Sequence, residues 1–155
     1  MSTQVTTSSN AKVVCWGNEI GVAYTSDSVA IAAADSLPQT ATFTRDGDEQ
    51  EIRDNDGEVI TFVTYNLRET LDIEVIPVGD SAANAAANNI APAKGTLVTI
   101  TDTSSGDNTR IAGGTSGNEK KYICISSTQT NSNTSEVRIS MSLRRYAADV
   151  ATAGT

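Results

Sequence analysis

The side chains of this sequence that could take part in chemistry are mainly carboxylates, and seven of them fall between residues 46 and 58. They are Asp46, Asp48, Glu49, Glu51, Asp54, Asp56 and Glu58. Two carboxylates can act as the acid and base of glycoside hydrolysis, but one of them then needs an apolar pocket that raises its pKa. The surrounding stretch is charged, with only Arg45 and Arg53 as counterions. The pattern therefore favours a solvated, charged hairpin over a catalytic pair.

The acidic spacing around Gly57 has to be compared with that of a calcium-binding loop. When Gly57 is aligned with the invariant glycine of an EF-hand, Asp54 and Asp56 fall on the third and fifth positions. The first and twelfth positions are then Ile52 and Val63, whose side chains cannot bind Ca²⁺. The spacing excludes an EF-hand. A solvated turn is the expectation, and a calcium site of another type is the alternative.

Other catalytic arrangements lack the residues that they need. The sequence contains no histidine, which removes the commonest general base and the commonest zinc ligand together. The glycine-rich segment 113–117 has neither the Lys-Ser/Thr pair of a phosphate loop nor a helix after it. We therefore expect no enzymatic activity, no metal and no cofactor.

The two cysteines, Cys15 and Cys124, lie far apart, each within a short apolar run that is typical of a strand. No C-x-x-C spacing is present. The pattern favours buried free thiols. A disulfide is the alternative, and it requires the two strands to be neighbours.

Length and charge restrict the class of protein further. The chain of 155 residues is long enough for one domain with a proper core. Its net charge of −8 excludes a basic surface for gripping nucleic acid. An acidic surface can repel phosphate, or it can simply keep the protein soluble. The chain begins with no charged segment followed by an apolar one, so we expect synthesis in the cytoplasm and no membrane partner.

The stretch from Ile52 to Ile100 predicts the elements that must position these residues. Asp56-Gly57 lies between two strand patterns and predicts a hairpin turn, because glycine supplies the positive φ. The hairpin continues to Tyr65, and a longer strand is predicted over Arg68–Pro77. In that strand Leu71, Ile73 and Val75 alternate with Thr70, Asp72 and Glu74. This period of two predicts one buried and one exposed face.

A short helix and a final strand complete the predicted fold. The alanine-rich run predicts a helix over about Ser81–Asn89, with Asp80 as its N-cap. In the last strand Val137, Ile139, Met141 and Leu143 alternate with polar residues. Pro38 is expected to end the apolar segment before it. The fold class is therefore mainly β, a β-sandwich or barrel with one short flanking α-helix.

The chain divides into one folded region and two polar ends. Residues 1–10 predict a flexible N-terminal arm, residues 11–146 a single β domain, and residues 147–155 a flexible tail. Asp102–Asn118 predicts a long loop rich in Gly, Ser, Thr, Asp and Asn. Loops of this length are usually functional, or they become ordered in an assembly.

The layout resembles that of the tail tube (major tail) proteins of tailed bacteriophages. The resemblance rests on a strand ending in Ile76-Pro77, a short helix of small residues, Pro92 and Gly95 before a strand, and a final strand ending in Leu143-Arg144-Arg145-Tyr146. It covers mainly Glu58–Ile100 and Tyr122–Tyr146, about half of the chain. It is a similarity of layout, and it includes no specific motif.

The resemblance implies a virion structural protein whose subunits form hexameric rings. The rings would stack into a tube that conducts DNA without binding it specifically, and other tail or virion proteins would be partners. Like charge would keep phosphates off an acidic lumen. The candidate assembly or lumen-facing residues are the seven carboxylates between residues 46 and 58, together with Asp72 and Glu74. The segment 46–58 could instead be a stacking loop.

Two alternatives remain open at this point. A capsid decoration protein would explain the polar loops, and it predicts a monomer or trimer without ring-forming sheet edges. A soluble ligand-binding β-sandwich, for carbohydrate or calcium, is the other alternative. The scarcity of aromatic side chains and the incomplete calcium loop argue against it.

Overall fold

The computed structural model describes residues 3–5, 14–16, 20–102 and 119–146 of the chain. Strands dominate the described residues, with one short α-helix and one turn of 3₁₀ helix at Ala33–Asp35. The elements are β1 (Thr3–Val5), β2 (Val14–Trp16), β3 (Ile20–Ser26), β4 (Val29–Ile31), β5 (Ser36–Arg53), β6 (Val59–Pro77), α1 (Ala82–Ala87), β7 (Leu97–Asp102), β8 (Lys120–Thr130) and β9 (Arg138–Tyr146). The predicted mainly β fold is confirmed.

Seven of the strands form one antiparallel sheet in the order β4-β3-β7-β8-β9-β6-β5. The remaining two, β1 and β2, pair with each other. The first of these lies within the region predicted as an N-terminal arm. The sheet is therefore the framework on which every candidate residue has to be placed.

The apolar core lies on one face of this sheet. Rows of residues that face one another across neighbouring strands build it, and one row runs through Phe43, Leu71, Leu143 and Cys124. Leu71, Leu143 and Cys124 are fully buried. Each large aliphatic side chain buried in this way contributes about 1.5–3 kcal/mol relative to exposure. The predicted alternation of β6 and β9 is thus the physical basis of the core.

The sheet curls so that it covers its own apolar face. All buried core residues belong to one cluster, whereas α1 buries none of its side chains. The hydroxyl of Ser36, at the start of β5, donates to the carbonyl oxygen of Val22 in β3 at 3.2 Å. This contact joins strands from opposite ends of the sheet order. Of the predicted sandwich and barrel forms, the single curled sheet is the barrel-like one.

The segment after α1 closes one end of the barrel. The Tyr24 hydroxyl donates to the carbonyl of Ile90 at 2.5 Å, and the Ser127 hydroxyl donates to that of Pro92 at 2.7 Å. The backbone N–H of Ala93 donates to the hydroxyl oxygen of Ser26 at 3.2 Å. These bonds satisfy polar groups where the chain crosses the barrel end. The opposite end carries the charged residues described below.

Four local predictions are corrected. Ser81, not Asp80, is the N-cap of α1, since its hydroxyl oxygen accepts from the N–H of Asn84. The helix spans six residues within the predicted Ser81–Asn89. Pro38 does not end an element but lies inside β5, an edge strand, where a residue without an N–H is tolerated.

The third correction concerns strand length. The segments predicted as a hairpin and a separate long strand join into one strand, β6, of 19 residues. Asp102, predicted as the start of a loop, is the buried last residue of β7. The rest of that loop and the C-terminal tail lie outside the described residues, as do the side chain of Cys15 and most of the predicted arm. Cys124 is a buried free thiol, as predicted.

Candidate assembly surfaces

The outward side of β5, β6, β9 and β8 forms a continuous surface of small polar side chains, which we call the polar face. Two rows cross all four strands. They consist of Thr42, Asp72, Ser142 and Ser126, and of Thr40, Glu74, Ser140 and Thr128. A shallow depression runs over these residues. These two rows contain no aromatic side chain and offer no stacking platform for a base or a sugar.

The predicted candidates Asp72 and Glu74 both lie on the polar face. Glu74 accepts a hydrogen bond from Arg138 at 2.6 Å, and this ion pair helps to hold the pKa of the arginine above its usual value. Asp72 is exposed and takes part in no ion pair with another described residue. Asp72 is therefore the free negative charge of these two rows.

Charges on the polar face nearly balance. Asp46 forms an ion pair with Arg68 at 2.9 Å, and Asp48 lies 3.8 Å from the same guanidinium. Together with Asp72 and Glu74, the polar face carries four carboxylates. The arginines on the same side of the sheet are Arg68, Arg138 and Arg144. Lys121 also lies on the outward side of β8, so four cations balance these four carboxylates and the polar face is close to neutral. Most of the negative charge of the chain lies elsewhere.

Beyond the barrel, β5 and β6 continue as a two-stranded ribbon, residues 46–67, which we call the arm. No residue of the arm belongs to the core cluster. A bulge marks its base, where Asp46 pairs with Arg68 but Asp48 pairs with Tyr65. At this bulge β6 has one residue more than β5, and Asn66 there has a φ of 51°. Opposite it, a Cβ at Gly47 would lie 2.8 Å from a Leu67 methyl carbon and 3.2 Å from the carbonyl oxygen of Tyr65, so a larger residue here would require these neighbours to shift.

The two strands of the arm differ in chemistry. The arm carries seven carboxylates against one arginine, and four of the carboxylates lie on its β5 strand. Its β6 strand carries large apolar side chains that are exposed in the chain: Val59, Ile60, Phe62, Val63, Tyr65 and Leu67. Ile60 and Phe62 are 63% and 53% exposed. An exposed apolar set of this size is typical of an interaction surface.

Register determines which of these side chains share a face of the arm. Glu49 is opposite Thr64 and Glu51 is opposite Phe62, so both glutamates lie on the same face as Phe62, which we call the apolar face of the arm. Val63 and Tyr65 lie on the other face, and Ile60 lies at a register shift without a partner on β5. Glu51 also pairs with Arg53 at 2.8 Å.

The tip of the arm is the turn that the sequence predicts. Gly57 has φ of 83°, and the Asp54 carboxylate accepts from the N–H groups of Asp56 and Glu58 at 2.9 and 3.0 Å. Asp54 is thus occupied with closing the turn. Among the described residues, no group of three or more His, Cys, Asp or Glu side chains is arranged to hold a metal ion.

The nine predicted carboxylates consequently separate into three sets. Four lie on the polar face or its continuation, namely Asp46, Asp48, Asp72 and Glu74. Glu49 and Glu51 lie on the apolar face of the arm, and Asp54, Asp56 and Glu58 lie at its tip. The structure does not bring all nine together. Their roles have to be considered separately.

Sequence reasoning missed a buried ionic row at the end of the barrel nearest the arm. Arg45, Glu69 and Arg145 face one another across β5, β6 and β9 on the inner face. Arg145 is fully buried and lies 3.1 Å from Glu69, whose other carboxylate oxygen is 3.5 Å from Arg45. Burial, followed by the positive charge of Arg145, lowers the pKa of the nearby Lys120. Arg145 continues the alternation of the core residues Ile139, Met141 and Leu143 in β9, and this was the available signal.

Tyrosine hydroxyls terminate the core at both ends of the barrel. Near the segment after α1, burial raises the pKa of Tyr24 to about 12, with a smaller effect from Cys124. At the ionic end, burial and then the carboxylate of Glu69 raise the pKa of Tyr122. The guanidinium of Arg145 lies 5.9 Å from the centroid of the Tyr122 ring. Both phenols are therefore held neutral by the fold.

Comparisons with known proteins do not extend these observations, since no family model matches the sequence and no curated protein matches it. Within the part of the chain that the structure describes, no helix has the length and apolar character to cross a membrane. The surfaces themselves therefore have to support any functional conclusion.

Proposed function

We propose that this protein is a virion structural protein, the tail tube subunit of a tailed bacteriophage. In this proposal its copies form rings, six to a ring, and the rings stack into a DNA-conducting tube in the virion tail. Other tail proteins would be its further partners. The subunit would be made in the host cytoplasm.

The observation that carries the proposal is the arm. A ribbon whose apolar side chains are exposed in the single chain is costly for a protein that acts as a monomer, because it invites non-specific association. Such an exposed ribbon is expected in a subunit whose neighbours cover the ribbon in the assembly. The edge strand β5, which pairs only with β6 among the described strands, adds a second surface that ring closure would cover.

The polar face supports the DNA-conducting part of the proposal. A channel wall has to be wettable without binding the phosphate backbone. Small hydroxyl side chains, with carboxylates that outnumber the arginines only slightly, meet this requirement. We assign the wall of the channel to the polar face, with Asp72 as its unpaired negative charge. We therefore expect a channel wall that is close to neutral, in place of the acidic lumen that the resemblance implies.

Negative-stain electron microscopy of the purified chain, with light scattering alongside, tests the proposal. We expect hollow rings or tubes of uniform diameter. A trimer that binds to the outside of empty capsids would favour the decoration protein. A monomer that binds a sugar or Ca²⁺ would favour the ligand-binding module.

A further inference from the structure

The apolar face of the arm has a complementary surface on the other side of the same chain. On the outward side of β4, β3 and β7 lies a shallow groove, which we call the acceptor groove. Its outward-facing residues are Ala23, Thr25, Ala30, Ala32, Leu97 and Thr99. None of these residues is charged, and three are alanines. Small residues along the floor leave room for larger side chains from a partner.

The margin of the acceptor groove is apolar and basic. Leu97 is 57% exposed and faces Ile123 across the β7–β8 pair, while Thr99 faces Lys121 in the same way. Lys121 is exposed on the outward side of β8. Lys94 is exposed in the turn before β7. The groove therefore offers apolar contacts with positive charge beside them.

This arrangement is the complement of the arm. The arm presents Phe62 beside Glu49 and Glu51, with Ile60 close by along β6, and it carries six of the net eight negative charges of the chain. The acceptor groove presents alanines and Leu97 beside lysines. Phe62 and Leu97 are 53% and 57% exposed, so no described part of the chain covers either side chain. A second copy of the chain carries an arm with the chemistry that this groove fits.

We propose that the arm of one copy docks into the acceptor groove of a second copy. Phe62 and Ile60 lie on the alanines and Leu97, and Glu49 and Glu51 face Lys94 and Lys121. The contact is heterologous, because two different surfaces meet, so each copy can give one arm and receive another. Such a contact closes a ring or continues as a stack. The inference rests on the proposed function in taking the partner to be a copy of the same chain.

A charge-exchange experiment tests this contact. One variant reverses the arm with Glu49→Lys and Glu51→Lys, another reverses the groove margin with Lys94→Glu and Lys121→Glu, and a third combines all four changes. All four positions are exposed, so each variant should fold, which circular dichroism would verify. The readout is the protein concentration at half-maximal assembly, measured by sedimentation velocity.

We expect each reversal alone to raise that concentration roughly tenfold, and the combined variant to return close to wild type, since attraction is restored with the signs exchanged. Asp80→Lys, an exposed charge reversal outside both surfaces, should leave it unchanged. A combined variant that assembles no better than the single reversals would overturn the inference, as would a wild type that stays monomeric at high concentration.

The outcomes separate this inference from the proposed function. Hollow tubes that do not respond to the charge exchange would contradict the docking contact alone. Compact oligomers without a channel that respond as expected would contradict the tube and support the contact.

Discussion

At the scale of single residues, the main energetic feature is charge buried at one end of an otherwise apolar barrel. Arg145 has no exposed surface, and Glu69 bridges it to Arg45. Desolvating a guanidinium costs several kcal/mol, which its carboxylate partner only offsets when the geometry is good. A buried ion pair therefore makes the fold sensitive to the loss of either partner.

Glu69→Gln should lower the free energy of unfolding by about 3 kcal/mol, because it leaves the Arg145 charge buried beside a neutral amide. Urea unfolding at neutral pH measures the change. Adding Arg145→Met should recover part of the loss. Glu136→Gln, in an exposed ion pair with Arg138, is the matched control and should hardly move the midpoint. A Glu69→Gln protein as stable as wild type would contradict the assigned ion pair.

The buried phenols predict a loss of stability at high pH. In the unfolded chain tyrosine ionises near pH 10, whereas burial raises the pKa of Tyr24 to about 12. The folded state therefore holds this proton more tightly, so the stabilisation is complete below pH 10 and is lost as the pH rises towards 12. Tyr122, whose pKa is also raised by burial, adds to the loss.

Tyr24→Phe tests this assignment. At pH 7 it should cost about 1 kcal/mol, for the hydrogen bond to Ile90. At pH 11 the variant should approach or exceed wild type, because phenylalanine has no proton to lose. Urea unfolding at the two pH values gives the comparison. An unchanged difference between the two proteins would argue against a neutral buried Tyr24.

At the scale of elements, the arm and the barrel are built from the same two strands but depend on different forces. Within the barrel, β5 and β6 are stabilised by core packing. Beyond the bulge at Gly47 and Asn66, the ribbon has hydrogen bonds and cross-strand pairs but no core. A two-stranded ribbon is marginally stable in water. We therefore expect the arm to gain stability when a partner covers it.

Replacing residues 49–64 by Asn-Gly should remove the arm and preserve the barrel. Asp48 and Tyr65 face each other across the ribbon, so a two-residue turn can join them. Thermal unfolding should change by only a few degrees, because no core residue is lost. Assembly, followed by sedimentation, should disappear.

A variant that keeps the arm but carries Ile60→Thr and Phe62→Thr separates arm length from arm chemistry. It should also assemble poorly, since threonine preserves strand propensity without the apolar surface. Efficient assembly of the armless chain would show that the arm does not form the main contact.

At the scale of the whole molecule, the curled sheet separates an apolar inside from a polar outside. The outside is available for contacts between copies of the chain. The polar face, the acceptor groove and the arm are three different surfaces of one barrel. A heterologous contact between arm and groove leaves the polar face uncovered. That face is then available as the wall of a channel.

A charge change on the polar face should alter whether assembled particles retain DNA. Wild-type particles should not retain double-stranded DNA at physiological salt. Asp72→Lys reverses the free negative charge of that face and should produce salt-sensitive retention that grows with assembly. Asp80→Lys, which makes the same change in charge away from the polar face, should not. Filter binding across a salt series measures both, and equal behaviour of the two variants would argue against the assigned wall.

The sequence by itself determined which face of β9 and of the barrel half of β6 is buried. Alternation in Leu71, Ile73 and Val75, and in Ile139, Met141 and Leu143, predicted the core face correctly. The turn at Gly57 was predictable for the same reason. Side-chain alternation and turn conformation are properties of consecutive residues, so local sequence contains them.

Only the tertiary structure decided which strands are neighbours. Glu69 and Arg145 are 76 residues apart and form a pair only because β6 lies beside β9. The merging of two predicted strands into β6, and the exposure of its distal half, likewise depend on how far the partner strands reach. Pairing between distant segments is chosen by the packing of the complete core, because many registers satisfy the same local alternation. The separation of nine similar carboxylates into the polar face, an arm face and a turn is a consequence of that choice.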